Sequence, residues 1–251
     1  MILIYGYCFL IGASCGSFVY AATWRYLHQL DFVYGRSSCP NCHHTLAWYD
    51  LIPVVSWLCL RGKCRYCHAF ISPSYLLYEL GIGVSALLCL RIYGFTCEGV
   101  WIFVIILILI SMAMIDRATM IIPNGLQLLL IIPIMALSWL HPEMTLENHL
   151  SGALSISGFM MLMNQWKKGS FGGGDIKLMF LCGWLLGCRR IIMAMVIAVW
   201  TAGLYAIYLL CSRQAQRDTR MAFAPYLCVG VVFVLFHGST VLSMVPGSRI
   251  L

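Results

Sequence analysis

Long apolar runs alternate with short polar segments along the chain, and this alternation predicts its elements. A helix needs about 20 apolar residues to cross a bilayer, and most of the runs are close to that length. The sequence therefore predicts an all-α polytopic membrane protein with about eight transmembrane helices in a lipid bilayer. The predicted spans are roughly residues 1–23, 74–93, 99–116, 121–140, 147–166, 176–188, 191–211 and 223–246.

One segment departs from this alternation. Residues 25–73 form a polar, cysteine-rich loop between the first two predicted spans, punctuated by Pro53, Gly62 and Pro73. A segment of this length is too short for an ordinary hydrophobic core without an additional link. We therefore expect a small subdomain whose fold is held by something other than packing.

The composition excludes several classes of soluble protein. Hydrophobic residues make up 61% of the 251 residues and charged residues only 10%, whereas soluble chains carry about 25% charged residues. A disordered chain, a soluble two-domain enzyme and a small secreted disulfide scaffold are all excluded.

The charges predict an orientation. The formal net charge is +7, and Lys and Arg concentrate in the cytoplasmic loops of membrane proteins. The first run has no basic segment before it, and its first cation is Arg25, which favours a membrane helix with its N-terminus outside over a cleavable signal peptide. Four cations then fall outside, namely Arg91, Arg189, Arg190 and Arg249.

The other twelve cations fall on or near the cytoplasmic side, and so does the polar loop. They are Arg25, Arg36, Arg61, Lys63, Arg65, Arg117, Lys167, Lys168, Lys177, Arg213, Arg217 and Arg220. No basic run outside the spans is interleaved with stacking aromatic residues, so nucleic acid is not an expected partner.

Four of the 13 cysteines form two matched pairs in the polar loop. They stand as Cys39-Pro-Asn-Cys42 and Cys64-Arg-Tyr-Cys67, a spacing typical of a tetrahedral structural zinc site. Metal binding would supply the stabilisation that a small loop lacks. Unpaired thiols and a redox dithiol are the alternatives, and the reducing cytosol disfavours a disulfide.

Two aspartates stand at the borders of apolar runs. Asp116 ends the third predicted span, and Asp175 follows Gly172, Gly173 and Gly174 and opens the sixth. Ionisable groups at such positions are expensive and suggest function. The topology places both at the cytoplasmic ends of their spans, where they could face each other.

Two close carboxyl groups share one proton, because both cannot ionise easily. One can then act as a base on water while the other polarises a scissile carbonyl, as in aspartic proteases. The three glycines would allow an extended peptide to approach the backbone closely. The alternatives are helix capping for Asp175, interfacial anchoring for Asp116 and a helix-start carboxylate for Glu79.

Several motifs in this order resemble the prepilin peptidases, also called type IV leader peptidases, which are intramembrane aspartic proteases of the GxGD type. The opening motif is Gly16-Ser17-Phe18. The cysteine loop follows, with Trp48-Tyr49-Asp50, Ile52-Pro53, Ile71-Ser72-Pro73 and Tyr78-Glu79-Leu80. Gly172-Gly173-Gly174-Asp175-Ile176-Lys177 resembles the GxGDxK motif, and Ala222-Phe223-Ala224-Pro225 resembles the start of the family's last span.

The resemblance implies two activities. One is cleavage of the basic leader of type IV prepilins or type II secretion pseudopilins at the cytoplasmic membrane face of a bacterium, with Asp116 and Asp175 as catalytic residues. The other is N-methylation of the new N-terminal residue with S-adenosylmethionine. Zinc on Cys39, Cys42, Cys64 and Cys67 would then be structural.

The resemblance also suggests which residues lie near the substrate and how the chain is divided. The substrate-proximal set is Gly172, Gly173, Gly174, Lys177 and Glu79. The segments are a first transmembrane helix over 1–24, the zinc-binding loop over 25–73 and a peptidase core over 74–251.

One position departs from the family pattern, because Asn124 stands where the family often has Asp. An amide cannot act as a base, so we do not expect residue 124 to be catalytic. Two other functions use the same features: an ion-coupled transporter that uses the Asp pair, and a membrane thiol oxidoreductase that uses the Cys pairs. Transporters tend to carry such groups near the bilayer midplane and often contain inverted repeats.

Overall fold

A computed structural model describes residues 2–30, 37–167, 169–212 and 221–244 of the chain. Within these ranges the long elements are all α-helices, which confirms the predicted fold class, and the β-structure there consists of two isolated bridges. Six cations of the predicted orientation lie outside the described residues: Arg36, Lys168, Arg213, Arg217, Arg220 and Arg249.

Hydropathy located the long helices to within a few residues. The helices are α1 (Ile2–Leu27), α2 (Val55–Cys59), α3 (Pro73–Tyr93), α4 (Cys97–Thr119), α5 (Asn124–Leu140), α6 (Leu146–Trp166), α7 (Gly173–Cys211) and α8 (Ala224–Met244), and a 3-10 turn covers Trp48–Leu51.

The chain is a multi-pass membrane protein. Among the described residues, four helices are long and apolar enough to cross a membrane, namely α1, α3, α4 and α7, while α5 and α8 contribute shorter apolar stretches. Large side chains remain exposed along α5 at Leu128, Ile132, Met135 and Trp139. Their spacing of three and four residues forms a stripe on one helix face, as expected of a surface that faces lipid.

The contacts divide the chain into two compact units, Met1–Gly99 and Val100–Leu251. The division by function into 1–24, 25–73 and 74–251 stays a prediction. In the first unit α1 packs against α3 through small residues. A Cβ atom added to Gly12 would lie 2.6 Å from the Cβ of Ala86, and one added to Gly16 would lie 3.1 Å from the carbonyl oxygen of Tyr78.

In the second unit α7 packs against α5, α6 and α8. Fully buried side chains at these contacts include Leu130, Met160, Leu178, Met179, Ile191 and Leu227. The closest approach joins α6 and α7, because a Cβ on Gly152 would collide with the carbonyl oxygen of Gly183. Small residues let membrane helices approach closely.

The 39 residues of α7 comprise two helices that meet in a kink at Gly187, whose φ of 74° and ψ of 171° are not helical. The kink falls near the boundary between the predicted sixth and seventh spans, so these two predicted runs correspond to the helices on either side of Gly187. The imidazole Nδ1 of His149, on α6, lies 2.7 Å from the carbonyl oxygen of Trp184, next to the break. A break in a helix leaves backbone carbonyl groups without their helical hydrogen-bond donors. Here the His149 side chain is the hydrogen-bond partner of the Trp184 carbonyl group.

Candidate active site and metal centre

The four predicted metal ligands converge at one point of the first unit. The Sγ atoms of Cys39, Cys42, Cys64 and Cys67 all lie within 4.8 Å of one another, and those of Cys39 and Cys67 are 3.8 Å apart. Four sulfurs around zinc at about 2.3 Å are separated by about 3.8 Å. The donor set and its spacing therefore fit a tetrahedral zinc ion.

The two cysteine pairs share one backbone pattern. In each knuckle the first cysteine accepts a hydrogen bond from the N–H of the residue after the second, at 2.9 Å for His43 to Cys39 and 3.0 Å for His68 to Cys64. His43 and His68 both have a φ of 55°. Each knuckle is thus a tight turn that directs two sulfurs to the same side.

Local hydrogen bonds also prepare Cys67 as a metal ligand. The backbone N–H of Ala69 and the side-chain amide of Asn41 lower the pKa of Cys67 to about 6, and the Asn41 Nδ2 lies 3.6 Å from the sulfur. The thiolate is the form that binds metal. This sulfur is therefore ready to coordinate at neutral pH.

Glu79 joins the loop of the first unit to α3. Its side chain is buried, and its Oε2 atom accepts a hydrogen bond of 2.7 Å from the backbone N–H of Val54. The hydroxyls of Ser17 and Tyr75 also hydrogen-bond to Glu79. Val54 has a φ of 64°, a strained conformation for a β-branched residue. The carboxylate therefore holds a strained turn against the helix.

In the second unit Asp116 lies in the last turns of α4 and is 5% exposed. Its Oδ2 atom accepts a hydrogen bond of 3.1 Å from the backbone N–H of Ala224, the first residue of α8. Asp116 thus caps a neighbouring helix, and a helix N-terminus stabilises negative charge. The motif at Phe223-Ala224-Pro225 contributes this N–H group.

Asp175 lies in the first turn of α7 and is 8% exposed. Its carboxylate accepts a backbone hydrogen bond from Gly172 and lies close enough to Asp116 for electrostatic interaction. Its Oδ1 atom is buried and has no hydrogen-bond partner among the described residues. The structure thus brings the two predicted aspartates together and leaves one carboxylate oxygen available.

The three glycines have different surroundings. A Cβ atom on Gly172 would lie 3.1 Å from the Asp175 Oδ2, and one on Gly174 would lie 3.0 Å from the Cβ of Ile122, whereas Gly173 has open space around it. Gly172 and Gly173 are exposed. The exposed backbone fits the predicted approach of a peptide, while Gly174 serves close packing within the protein.

Two side-chain amides, which the sequence reasoning missed, hold the segment around the start of α7. The Gln127 Nε2, on α5, donates to the carbonyl oxygen of Gly174 at 2.9 Å. The Asn164 side chain, on α6, donates to the carbonyl oxygen of Phe171 at 2.9 Å and accepts from its N–H at 2.8 Å. Both are polar residues within predicted spans, which is the signal that could have identified them.

Lys177 forms a hydrogen bond with the first residue of α5. Its Nζ atom donates to the Oδ1 of Asn124 at 3.1 Å, and the side chain is exposed. The position where the family often has Asp therefore contacts the lysine of the GxGDxK-like motif. Glu79, the remaining predicted substrate-proximal residue, belongs to the first unit.

Comparisons with known proteins agree on one family. Residues 10–93 match the model described as the bacterial Peptidase A24 N-terminal domain, and residues 103–207 match the type IV leader peptidase family. The first match contains the four cysteines and the second contains both aspartates. None of the solved structures matches the chain significantly.

Three curated relatives carry the name prepilin leader peptidase/N-methyltransferase. The Bacillus subtilis protein is 34% identical over 94% of this chain and 95% of its own length. The Myxococcus xanthus protein is 33% identical over 80% of this chain and 62% of its own. The Vibrio cholerae protein is 32% identical over 71% of this chain and 74% of its own.

Proposed function

The chain belongs to the type IV leader peptidase family, and on this premise we propose that it cleaves the basic leader from prepilins or pseudopilins with Asp116 and Asp175 as the catalytic pair. The observation that carries the assignment is the convergence of these two buried carboxylates at the ends of α4 and α7. The transporter and oxidoreductase alternatives have no support in the family, and the four cysteines form one cluster rather than two separate dithiols.

The chemistry follows from the geometry of the pair. Two neighbouring carboxyl groups that interact electrostatically cannot both ionise easily, so one of them would keep its proton. The ionised member takes a proton from water as that water attacks the scissile carbonyl carbon, while the protonated member donates a hydrogen bond to the carbonyl oxygen. Collapse of the tetrahedral intermediate breaks the C–N bond, and a proton passes to the leaving amine.

The neighbouring backbone would position the peptide. Gly172 and Gly173 expose main-chain groups beside Asp175, so an extended substrate could pair with them as an added strand. Gln127 on α5 and Asn164 on α6 hold this segment by hydrogen bonds. These bonds keep the Asp175 carboxylate and the glycines in a fixed position relative to each other. Lys177 would lie near the bound peptide, on the side of Asn124.

Zinc would stabilise the loop and take no part in the peptidase reaction. Cys39, Cys42, Cys64 and Cys67 would hold it, and when bound it supplies the folding energy of the loop. The positive-inside bias predicts that this loop and both aspartates face the cytoplasm, with the N-terminus outside, in the bacterial inner membrane. A substrate whose basic leader stays inside suits that orientation.

N-methylation of the new N-terminus is the second activity that family membership brings to the chain, and S-adenosylmethionine is the expected donor. A strand followed by a glycine-rich turn and a helix, the common nucleotide-binding unit, does not occur in the described ranges. We assign no residue to the methyl donor.

The decisive experiment incubates the purified full chain with a prepilin and an isotopically labelled methyl donor, followed by mass spectrometry of the product N-terminus. We expect Asp116→Asn and Asp175→Asn each to abolish cleavage, because an amide cannot activate water. Asp116→Asn keeps an oxygen for the Ala224 N–H, so the helix cap survives.

Glu147→Gln is the matched control, since it changes an exposed carboxylate of the same unit to an amide. It should cleave at the wild-type rate. Full cleavage by either Asp variant would overturn the proposed pair, and cleavage without label transfer would remove the methyltransferase activity alone.

A further inference from the structure

The second cysteine knuckle borders a basic cavity that takes no part in the proposed peptidase chemistry. The cavity has a volume of about 290 Å³ and is lined by Cys59, Leu60, Arg61, Lys63, Cys64, Arg65 and His68. Three of these seven residues are Lys or Arg, a fourth is His, and none is Asp or Glu. Such a lining would attract an anion.

Arg61 and Lys63 are the cations available to a ligand. The Arg65 Nε already pairs with the Oδ1 of Asp50 at 2.8 Å, and its guanidinium lies 5.0 Å from the centre of the Tyr49 ring. Arg61 and Lys63 are both exposed, and neither forms a salt bridge within the described part of the chain. No carboxylate among the described residues therefore neutralises their positive charge.

The turn that carries both cations is fixed in place. Arg61 and Gly62 both have positive φ, at 51° and 69°, and a Cβ on Gly62 would lie 2.8 Å from the Trp57 ring. The carbonyl oxygen of Gly62 accepts a hydrogen bond of 2.7 Å from the N–H of Ile71. The cations therefore project from a defined turn instead of a loose loop.

The same turn lies close to the start of a membrane helix. Ile71, its hydrogen-bond partner, precedes the first residue of α3 by only two positions. Exposed apolar side chains lie next to the lining residues in the sequence: Phe70 is 73% exposed and Leu58 is 56% exposed. Cations beside exposed apolar groups are typical of a protein surface that lies in the lipid headgroup region.

From these observations we propose that the cavity binds the phosphate group of an anionic phospholipid, with Arg61 and Lys63 as its main ligands and Phe70 and Leu58 in contact with the acyl boundary. A free phosphate has the same chemistry but would leave these apolar side chains in water. A basic leader peptide would be repelled by the two cations. The site would fix the metal-held loop at the membrane surface.

The test uses the full chain with its metal, in phosphatidylcholine vesicles that contain a phosphatidylglycerol analogue with a photoreactive headgroup. Cross-linked residues are mapped by mass spectrometry of peptides. We expect labelling within residues 59–68. Each interfacial cation contributes about fivefold to anionic-lipid binding, so Arg61→Gln/Lys63→Gln should weaken labelling there by about 25-fold.

Two further variants separate the site from general effects. Arg189→Gln/Arg190→Gln removes the same charge from exposed positions of the second unit and should leave labelling of residues 59–68 unchanged. Lys63→Arg keeps the charge and should retain labelling. Zinc content is measured for each variant, and an intact metal site in the double Gln variant shows that its loop is still folded.

Three results would overturn the proposal. One is equal labelling of residues 59–68 in the wild type and in the double Gln variant with bound zinc. Another is the absence of labels from this segment in the wild type. The third is complete displacement of the lipid probe by millimolar inorganic phosphate, which would identify the cavity as a site for a soluble anion instead of a lipid.

Discussion

In the first unit four sulfurs converge from a loop with little regular structure, whereas in the second two carboxyl groups are presented by the ends of long helices. The sulfurs are positioned by two tight turns whose backbone hydrogen bonds span only a few residues. The carboxylates depend on contacts between distant segments, such as Asp116 with Ala224 and Gly174 with Gln127. The difference predicts that the loop is sensitive to metal removal and that the aspartate site is sensitive to packing.

Removal of the metal should have the largest effect. Zinc binding contributes about 10–16 kcal/mol in small zinc domains, so Cys64→Ser should lose the metal and leave the loop open to proteolysis. Metal analysis and limited proteolysis of the purified chain measure both. Cys59→Ser changes an exposed cysteine outside the cluster and should keep one zinc per chain. Retention of zinc by Cys64→Ser would contradict the four-sulfur site.

Gly174→Ala should disturb the aspartate site through a steric clash, without any change in charge. Its Cβ would press on Ile122, and overpacking of this kind costs about 1–3 kcal/mol. We expect prepilin cleavage, measured as an initial rate, to fall by about tenfold or more. Gly203→Ala is the matched control, because it makes the same change on the same helix in open space, away from the backbone proposed to bind the peptide. Equal rates for the two variants would show that the contact with Ile122 is unimportant.

Glu79→Leu should weaken the first unit by less than metal loss does. It removes the acceptor of the Val54 N–H, and an unsatisfied buried donor costs about 1–3 kcal/mol. The temperature at which zinc is released to a chelator should therefore fall. Glu79→Gln keeps an acceptor oxygen and should release zinc near the wild-type temperature. If Glu79→Leu does so too, the hydrogen bond does not stabilise the loop.

Asn124→Asp should have the smallest effect. It would place a carboxylate 3.1 Å from the Lys177 amine, and exposed ion pairs contribute about 0–1 kcal/mol. We expect the thermal midpoint of the chain to change little and the cleavage rate to stay within about twofold. A tenfold change in rate would show that residue 124 acts in the reaction.

Local spacing was enough to predict the long helices and the cluster of four cysteines, while the catalytic role of the two aspartates stays a prediction. The apolar run over 74–93 became α3 almost unchanged, and two CxxC pairs can bring four sulfurs together from one loop. The hydrogen bonds that hold these sites in place could not be predicted from the sequence. Val54 and Glu79 are 25 residues apart, and Gln127 and Gly174 are 47 apart, so only the packed helices bring them into contact.

The break at Gly187 illustrates the same limit. Hydropathy predicted two separate runs that meet near this residue, but it did not predict the kinked geometry with which the two helices join at Gly187. This geometry depends on tertiary packing, namely the close approach of Gly152 and Gly183 and the hydrogen bond from His149 to Trp184.

The bond between Val54 and Glu79 limits how the metal-binding loop could be reused in another protein. A graft of residues 37–71 would carry all four cysteines but leave behind the carboxylate that holds the left-handed turn at Val54. The smallest transferable piece therefore includes α3 and, through Ser17, also α1. Evolution and protein design would have to move the loop together with its helical hairpin.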